Sequence, residues 1–310
     1  MRLVADIGGT NTRLAFVSPG HTIPKTTRSY RNAYFDSFEA VLLEFVSGNA
    51  LQFEQLVVAM AGPVAGNIGR LTNLTWVIDG DALSERFDRV SVQVINDLTA
   101  LGHAALQLAP GQLVPVVETS VKESNQRQAL VVGIGTGFNV SPVVESSGHT
   151  VCPAVEAGHT TLYASIAAEL DRLKPGLAQN FSTIEALFSG RGRRRFLSLL
   201  TGEDVESATP IIAKYGKPEN APFDTALDNY ATLIGMLLAE LKIAYLPTDG
   251  IFLAGGVARS SFTGDRSRLC GRAAMRENAY IKISPPIWII ADDAAALTGC
   301  ASIEVLTSLR

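Results

Sequence analysis

Apolar residues in this chain fall into short runs broken by glycine, asparagine and aspartate, with a few longer stretches where they return every three or four positions. Residues 3–17 read as an apolar strand, a Gly8-Gly9-Thr10-Asn11 turn and a second strand, which predicts a β-hairpin with a glycine-rich tip. The pattern returns: LVADIGGTNTRLAFV lies over LVVGIGTGFNVSPVV without a gap, with Leu3 on Leu130, Ile7 on Ile134, Gly8 on Gly135 and Val17 on Val144. A second hairpin is therefore predicted near 129–144. Buried strands are expected at 56–61, 90–95, 251–254 and 287–290. Helical spacing marks 37–46, 98–108, 162–173, 224–245 and 294–306, the last capped by Asp292-Asp293. Strands alternating with helices imply an α/β architecture.

Glycine turns let backbone N–H groups approach an anion closely, so the paired hairpins suggest a duplicated fold gripping a polyphosphate. The first copy carries Asp6 where the second carries Gly133. One acidic group beside a phosphate loop suits a magnesium nucleotide, directly or through a metal-bound water. Asn96-Asp97 stands where a strand stops and a helix begins; Asp97 is a candidate general base, although simple N-capping explains the same pair. In 155–159, Glu156 and His159 offer the directed hydrogen bonds that adjacent hydroxyls of a polyol need. Glu185 alone reads as an ordinary helix-surface residue. Gly255-Gly256 at a strand end could seat a flat base or ribose on bare backbone, and the four arginines of 191–195 read as a solvated basic patch.

With 310 residues, 47% hydrophobic and 18% charged, the chain has material for two domains with substantial cores. Its net charge of −4, from 26 basic and 30 acidic residues, gives no reason to expect nucleic acid or an anionic membrane as a partner. No segment reads as a membrane span or a signal peptide, and Cys152, Cys270 and Cys300 lack paired spacing, so a cytoplasmic protein without structural zinc is expected. No Walker A or dinucleotide fingerprint occurs.

Together these segments resemble the bacterial glucokinase family, within the sugar-kinase and actin-like ATPase superfamily. Residues 6–15 resemble its first phosphate motif, 95–100 the segment with its catalytic aspartate, 133–137 its second phosphate motif and 252–256 its adenosine motif. Residues 156–159, 185–190 and 72–76, the last containing Asn73, are similar to its sugar-binding segments. Asn139 departs from a usual glycine, and Glu156-Ala157-Gly158 replaces Glu-Gly-Gly. The cysteine-rich zinc motif of the related ROK kinases is absent, which points to the glucokinase branch.

The resemblance implies two RNase-H-like (actin-like ATPase) α/β domains with a cleft between them. The expected small domain is 1–106, completed by a C-terminal helix at 293–310; 107–292 is the large one. It implies ATP-dependent phosphorylation of D-glucose at the 6-hydroxyl, with ATP and Mg²⁺ as cofactors and a homodimer as the assembly. Asp97 would be the base. Asn96, Glu156, His159, Glu185 and Asn73 would bind sugar. Asp6, Gly8, Gly9, Thr10, Asn11, Gly135, Thr136, Gly137, Gly255 and Gly256 would bind nucleotide, with Asp6 holding Mg²⁺ through water. A kinase for another hexose or N-acetylhexosamine, or a non-metabolic actin-like ATPase, remains the alternative.

Overall fold

The computed structural model describes residues 1–18, 21–22, 27–48, 52–71, 74–120, 126–205 and 221–303. In chain order the first elements are β1 (Arg2–Ile7), β2 (Asn11–Ser18), β3 (His21–Thr22), β4 (Arg28–Arg31), α1 (Phe38–Ser47), β5 (Gln55–Met60), β6 (Val64–Ala65), β7 (Ile68–Arg70), β8 (Val77–Asp79), α2 (Gly80–Arg86), β9 (Ser91–Asn96) and α3 (Asp97–Ala105). Then come β10 (Leu113–Val117), β11 (Gln126–Ile134), β12 (Phe138–Ser146), β13 (His149–Val151), α4 (Ala164–Leu173), α5 (Ile184–Phe188), α6 (Gly190–Thr201) and α7 (Ala221–Tyr245). The last are β14 (Gly250–Ala254), α8 (Gly256–Ser261), α9 (Arg266–Ala274), β15 (Ile287–Ile290) and α10 (Ala295–Ser302).

The chain divides into two compact units. One is Met1–Leu108 with the segment that begins at Asp292; the other is Ala109–Ala291. In the first, the sheet runs β3-β2-β1-β5-β9, with β4 also on β2. β1 pairs antiparallel with β2 and parallel with β5, and β5 pairs parallel with β9. Alternate residues of β1 enter opposite cores. Leu3, Ala5 and Ile7 pack with Val41, Leu42 and Phe45 of α1, while Val4 packs with Ala100 of α3 and with Leu297 and Cys300 of α10. Helices on both faces are why the strand reads as an unbroken apolar run. Each such side chain fully buried contributes about 1.5–3 kcal/mol.

The second unit repeats this pairing in a sheet ordered β10-β15-β14-β11-β12-β13. β11 is antiparallel to β12 and parallel to β14, which is parallel to β15. α7 lies on it, with Tyr230 buried among Phe188 and Phe196 and donating to the Leu187 carbonyl at 3.2 Å.

The ungapped match of the hairpins holds on their first strands and slips by one residue on their second. β1 and β2 last pair at Ile7 and Thr12, leaving residues 8–11 in the turn; β11 and β12 last pair at Ile134 and Phe138, leaving only 135–137. Asn139, not Val140, therefore stands opposite Gly133, the position Arg13 holds opposite Asp6. Two predicted helices end early: α3 ends at Ala105, and α10 stops at Ser302, where Ile303 is extended, while α7 begins earlier than predicted, at Ala221. The β6-β7-β8 sheet, α6 and α9 escaped the sequence reading. The strands are two or three residues long, and arginines mask the narrow apolar stripes of α6 and α9.

α10 approaches α3 so closely that a Cβ on Gly299 would strike the Ala100 carbonyl. Gly299→Ala should cost about 1–3 kcal/mol through this overpacking. Denaturant titration checks it, and an unchanged midpoint would mean the two helices do not touch there.

Candidate active site

Parallel pairing puts Ile7, Met60 and Asn96 in register at the carboxyl edge of the first sheet, where α/β proteins bind ligands. Asn96 is the N-cap of α3: its Oδ1 accepts from Leu98 N at 2.9 Å and its Nδ2 donates to the Gly62 carbonyl at 3.0 Å. Asp97 is the first helical residue, with its Oδ1 also 2.9 Å from Leu98 N. Of the two residues that could cap this helix, the structure uses Asn96, and Asp97 follows as the first residue of the helix.

The first turn is locked from below by Asn32. Asn32 donates from its backbone N to Thr10 O (2.9 Å) and from Nδ2 to Gly8 O (2.8 Å), and its Oδ1 accepts from Thr12 Oγ1 (2.8 Å). Gly8 N also donates to Asn11 O at 2.9 Å, while Gly9 and Thr10 stay exposed. Nothing in the sequence singles out Asn32, because it sits in an aperiodic stretch and works only through contacts 20 residues away or more.

In the second unit, Gly135 N donates to Gly137 O at 3.0 Å, and Gly190 N at the start of α6 donates to Gly135 O at 2.7 Å. Gly255, at φ 95°, ends β14 where a Cβ would run into the Ile134 carbonyl, so only glycine fits beside this turn. Glu185 is not a plain surface residue: its Oε2 accepts from Phe138 N at 3.0 Å and its Oε1 lies 4.0 Å from Arg191. Glu156 and His159 are exposed on a loop closed by a 3₁₀ turn at Ala157–His159. Ile184 N donates to Thr160 O at 3.1 Å, which ties that loop to the helix bearing Glu185. Asn139 grips Glu156 with its side-chain amide, a contact that the sequence reading registered only as a departure from glycine.

Asn73 lies outside the described residues. The arginine patch is corrected in one member. Arg193 is buried because helical periodicity turns that position inward; it donates to Ser260 and Ser261 at 2.8 and 3.2 Å, and its Nε has no partner among the described residues.

A profile described as Glucokinase matches residues 3–306. This chain belongs to the glucokinase family. A glucokinase of Caulobacter sp. strain K31 is 28% identical over 265 residues, covering 83% of this chain and 80% of that one. Among solved structures, glucokinase from an Antarctic psychrotroph superposes with a TM-score of 0.74 at 24% identity, covering 97% of both chains. A ROK family glucokinase from Streptomyces griseus, solved with glucose and AMPPNP, gives 0.61 at 17% identity, again over 97% of both. The α/β fold is shared with these enzymes.

In this glucokinase-family chain the first-unit carboxylates are strongly perturbed. Burial pushes Asp6 up to about 6, against the pull of Arg13 at 3.4 Å and with a further push from Asp293. Asp97 is pushed up to about 7, first because surrounding protein strips its hydration although its rim is partly exposed, then by the charge of Asp6. Between 3.8 and these values the folded chain holds protons that the unfolded chain has released, so stability falls as pH rises through that window. Among the described residues no three His, Cys, Asp or Glu side chains form a metal cage. Crowded carboxylates with one guanidinium suit Mg²⁺ nonetheless, since it keeps most of its waters and needs one or two carboxylates besides phosphate oxygens.

In ligand-free protein the Asp97 carboxyl should titrate near pH 7, followed by carbon-detected NMR, and Asp6→Asn should lower that midpoint by removing a like charge. A midpoint in the ordinary aspartate range would refute the assignment of a tuned base.

Proposed function

We propose that this chain is a glucokinase in which Asp97 takes the proton from the glucose 6-hydroxyl as that oxygen attacks the γ-phosphorus of ATP. The observation that carries the reading is Asp97 itself, a carboxylate raised to about 7 at the carboxyl edge of a sheet in a glucokinase-family chain. A base poised near the working pH is both deprotonated and basic enough to accept a proton, and this contributes typically 10²–10⁴-fold. Glu156, His159 and Glu185 would orient the sugar ring through charge-assisted hydrogen bonds, and Asn96 would place the helix that carries the base.

The backbone N–H groups of Gly9 and Thr10 in the first turn and of Thr136 and Gly137 in the second would receive the phosphates, since those of Gly8 and Gly135 donate within their own turns, and Gly255-Gly256 would leave room for the nucleoside. Asp6 would hold Mg²⁺ through water, and Mg²⁺ neutralises phosphate charge as it develops in transfer. An antiparallel hairpin followed by parallel strands in each unit supports the finer reading of two RNase-H-like domains of the actin-like ATPase kind.

Coupled assay of ATP turnover across a panel of hexoses tests the substrate, with glucose expected to give the highest kcat/KM. Asp97→Asn should lower kcat by about 10²–10⁴-fold with the fold intact by circular dichroism. Retention of more than about a tenth of kcat would exclude Asp97 as the base. Glu156→Gln should weaken glucose binding by about 1.5–3 kcal/mol in calorimetry while ATP binding is unchanged; equal glucose affinity would remove Glu156 from the site.

A further inference from the structure

We infer that Asn139 is a positioning residue for Glu156, fixing which oxygen of that carboxylate is offered to the sugar; this rests on the reading of Glu156 as a sugar ligand. Asn139 is the second residue of β12, two positions past the glycine turn. Its side chain uses both ends. Oδ1 accepts from Val140 N at 2.9 Å and from Ala157 N at 3.0 Å, while Nδ2 donates to Val155 O at 2.7 Å and to Glu156 Oε2 at 3.1 Å.

Three of these four bonds reach the 155–157 segment, so one amide clasps the strand to the loop on both sides of Glu156. An exposed glutamate otherwise samples many rotamers, and a ligand must then supply the ordering free energy. Here the amide orders the carboxylate in advance. It occupies Oε2 and leaves Oε1 for a donor hydroxyl. Phe138, the preceding residue, holds Glu185 Oε2 through its backbone N–H. Two consecutive residues after the glycine turn thus set both sugar-facing carboxylates, one by main chain and one by side chain. The main-chain bond is available to any sequence, whereas the side-chain bond requires the amide of Asn139.

The test is steady-state kinetics with glucose and ATP on Asn139→Ala and Asn139→Asp. Ala should raise the glucose KM about tenfold, the worth of one charge-assisted hydrogen bond, with kcat and the ATP KM within about twofold of the unaltered enzyme. Asp keeps the acceptor oxygen but sets a second carboxylate against Glu156, so it should raise the glucose KM further than Ala does. Adding Asn139→Ala to Glu156→Gln should change the glucose KM by less than adding it to the unaltered enzyme, because Asn139 acts through Glu156. An unchanged glucose KM in both single variants overturns the inference, as does a fall of kcat and thermal stability with the glucose and ATP KM values raised alike, which would mark a mere strand-to-loop staple. If the variants fail to fold, the Asn139 side-chain amide signals of the unaltered protein decide it: a shift on adding glucose supports the role and no shift overturns it. An unaltered protein without glucose turnover would instead overturn the proposed function beneath.

Discussion

The first unit is organised around a repulsion. Parallel pairing of β1, β5 and β9 carries Asp6 and Asp97 to one sheet edge, close enough for the charge of one to raise the pKa of the other. A single guanidinium, Arg13, offsets Asp6 from the facing strand of the hairpin. Folding alone would favour removing one of these acids, since a buried carboxylate with a raised pKa loses stability as pH climbs from its unfolded to its folded value. Their retention makes sense if the excess negative charge is a binding determinant for a cation and the raised pKa a chemical one. The apolar packing on both faces of the sheet, with α1 on one side and α3 and α10 on the other, holds that edge in place.

The second unit uses the same hairpin for a different end. Gly133 stands where Asp6 would, so no acid is present, and Asn139 stands where Arg13 would. Its partner is consequently not a carboxylate on the adjacent strand but one on a neighbouring loop, Glu156. The one-residue shortening of the turn makes this possible. In a strand, a shift of one residue exchanges the two faces, so Asn139 rather than Val140 meets the 155–157 segment.

Much of the site was legible as local chemistry. The glycine turns and Asn96-Asp97 stand where an apolar strand ends, which is where polar residues of α/β proteins meet ligands. Glu156 and His159 offer paired hydrogen bonds within five residues, whereas Glu185 by itself reads as an ordinary helix-surface residue. The partners of those residues were not legible. Asn32, in an aperiodic stretch beneath the first turn, and Asn139, in the second strand of the second hairpin, are single amides joined to targets 16 to 24 residues away in the chain. Arg193 misled because four neighbouring cations suggest solvent, whereas a helix turns every third or fourth residue inward whatever its charge.

The sequence by itself determined the elements that a hydrophobic period can encode, namely the two hairpins, the parallel strands, the long α7 and the points where they stop. It also placed the candidate base, because an acid at the junction of strand and helix is a local feature. The tertiary structure alone decided the turn lengths, the pairing of Asp6 with Arg13, the raised pKa of Asp97 and the grip of Asn139 on Glu156. These depend on strand register and on burial by distant segments, and neither is written in the spacing of neighbouring residues.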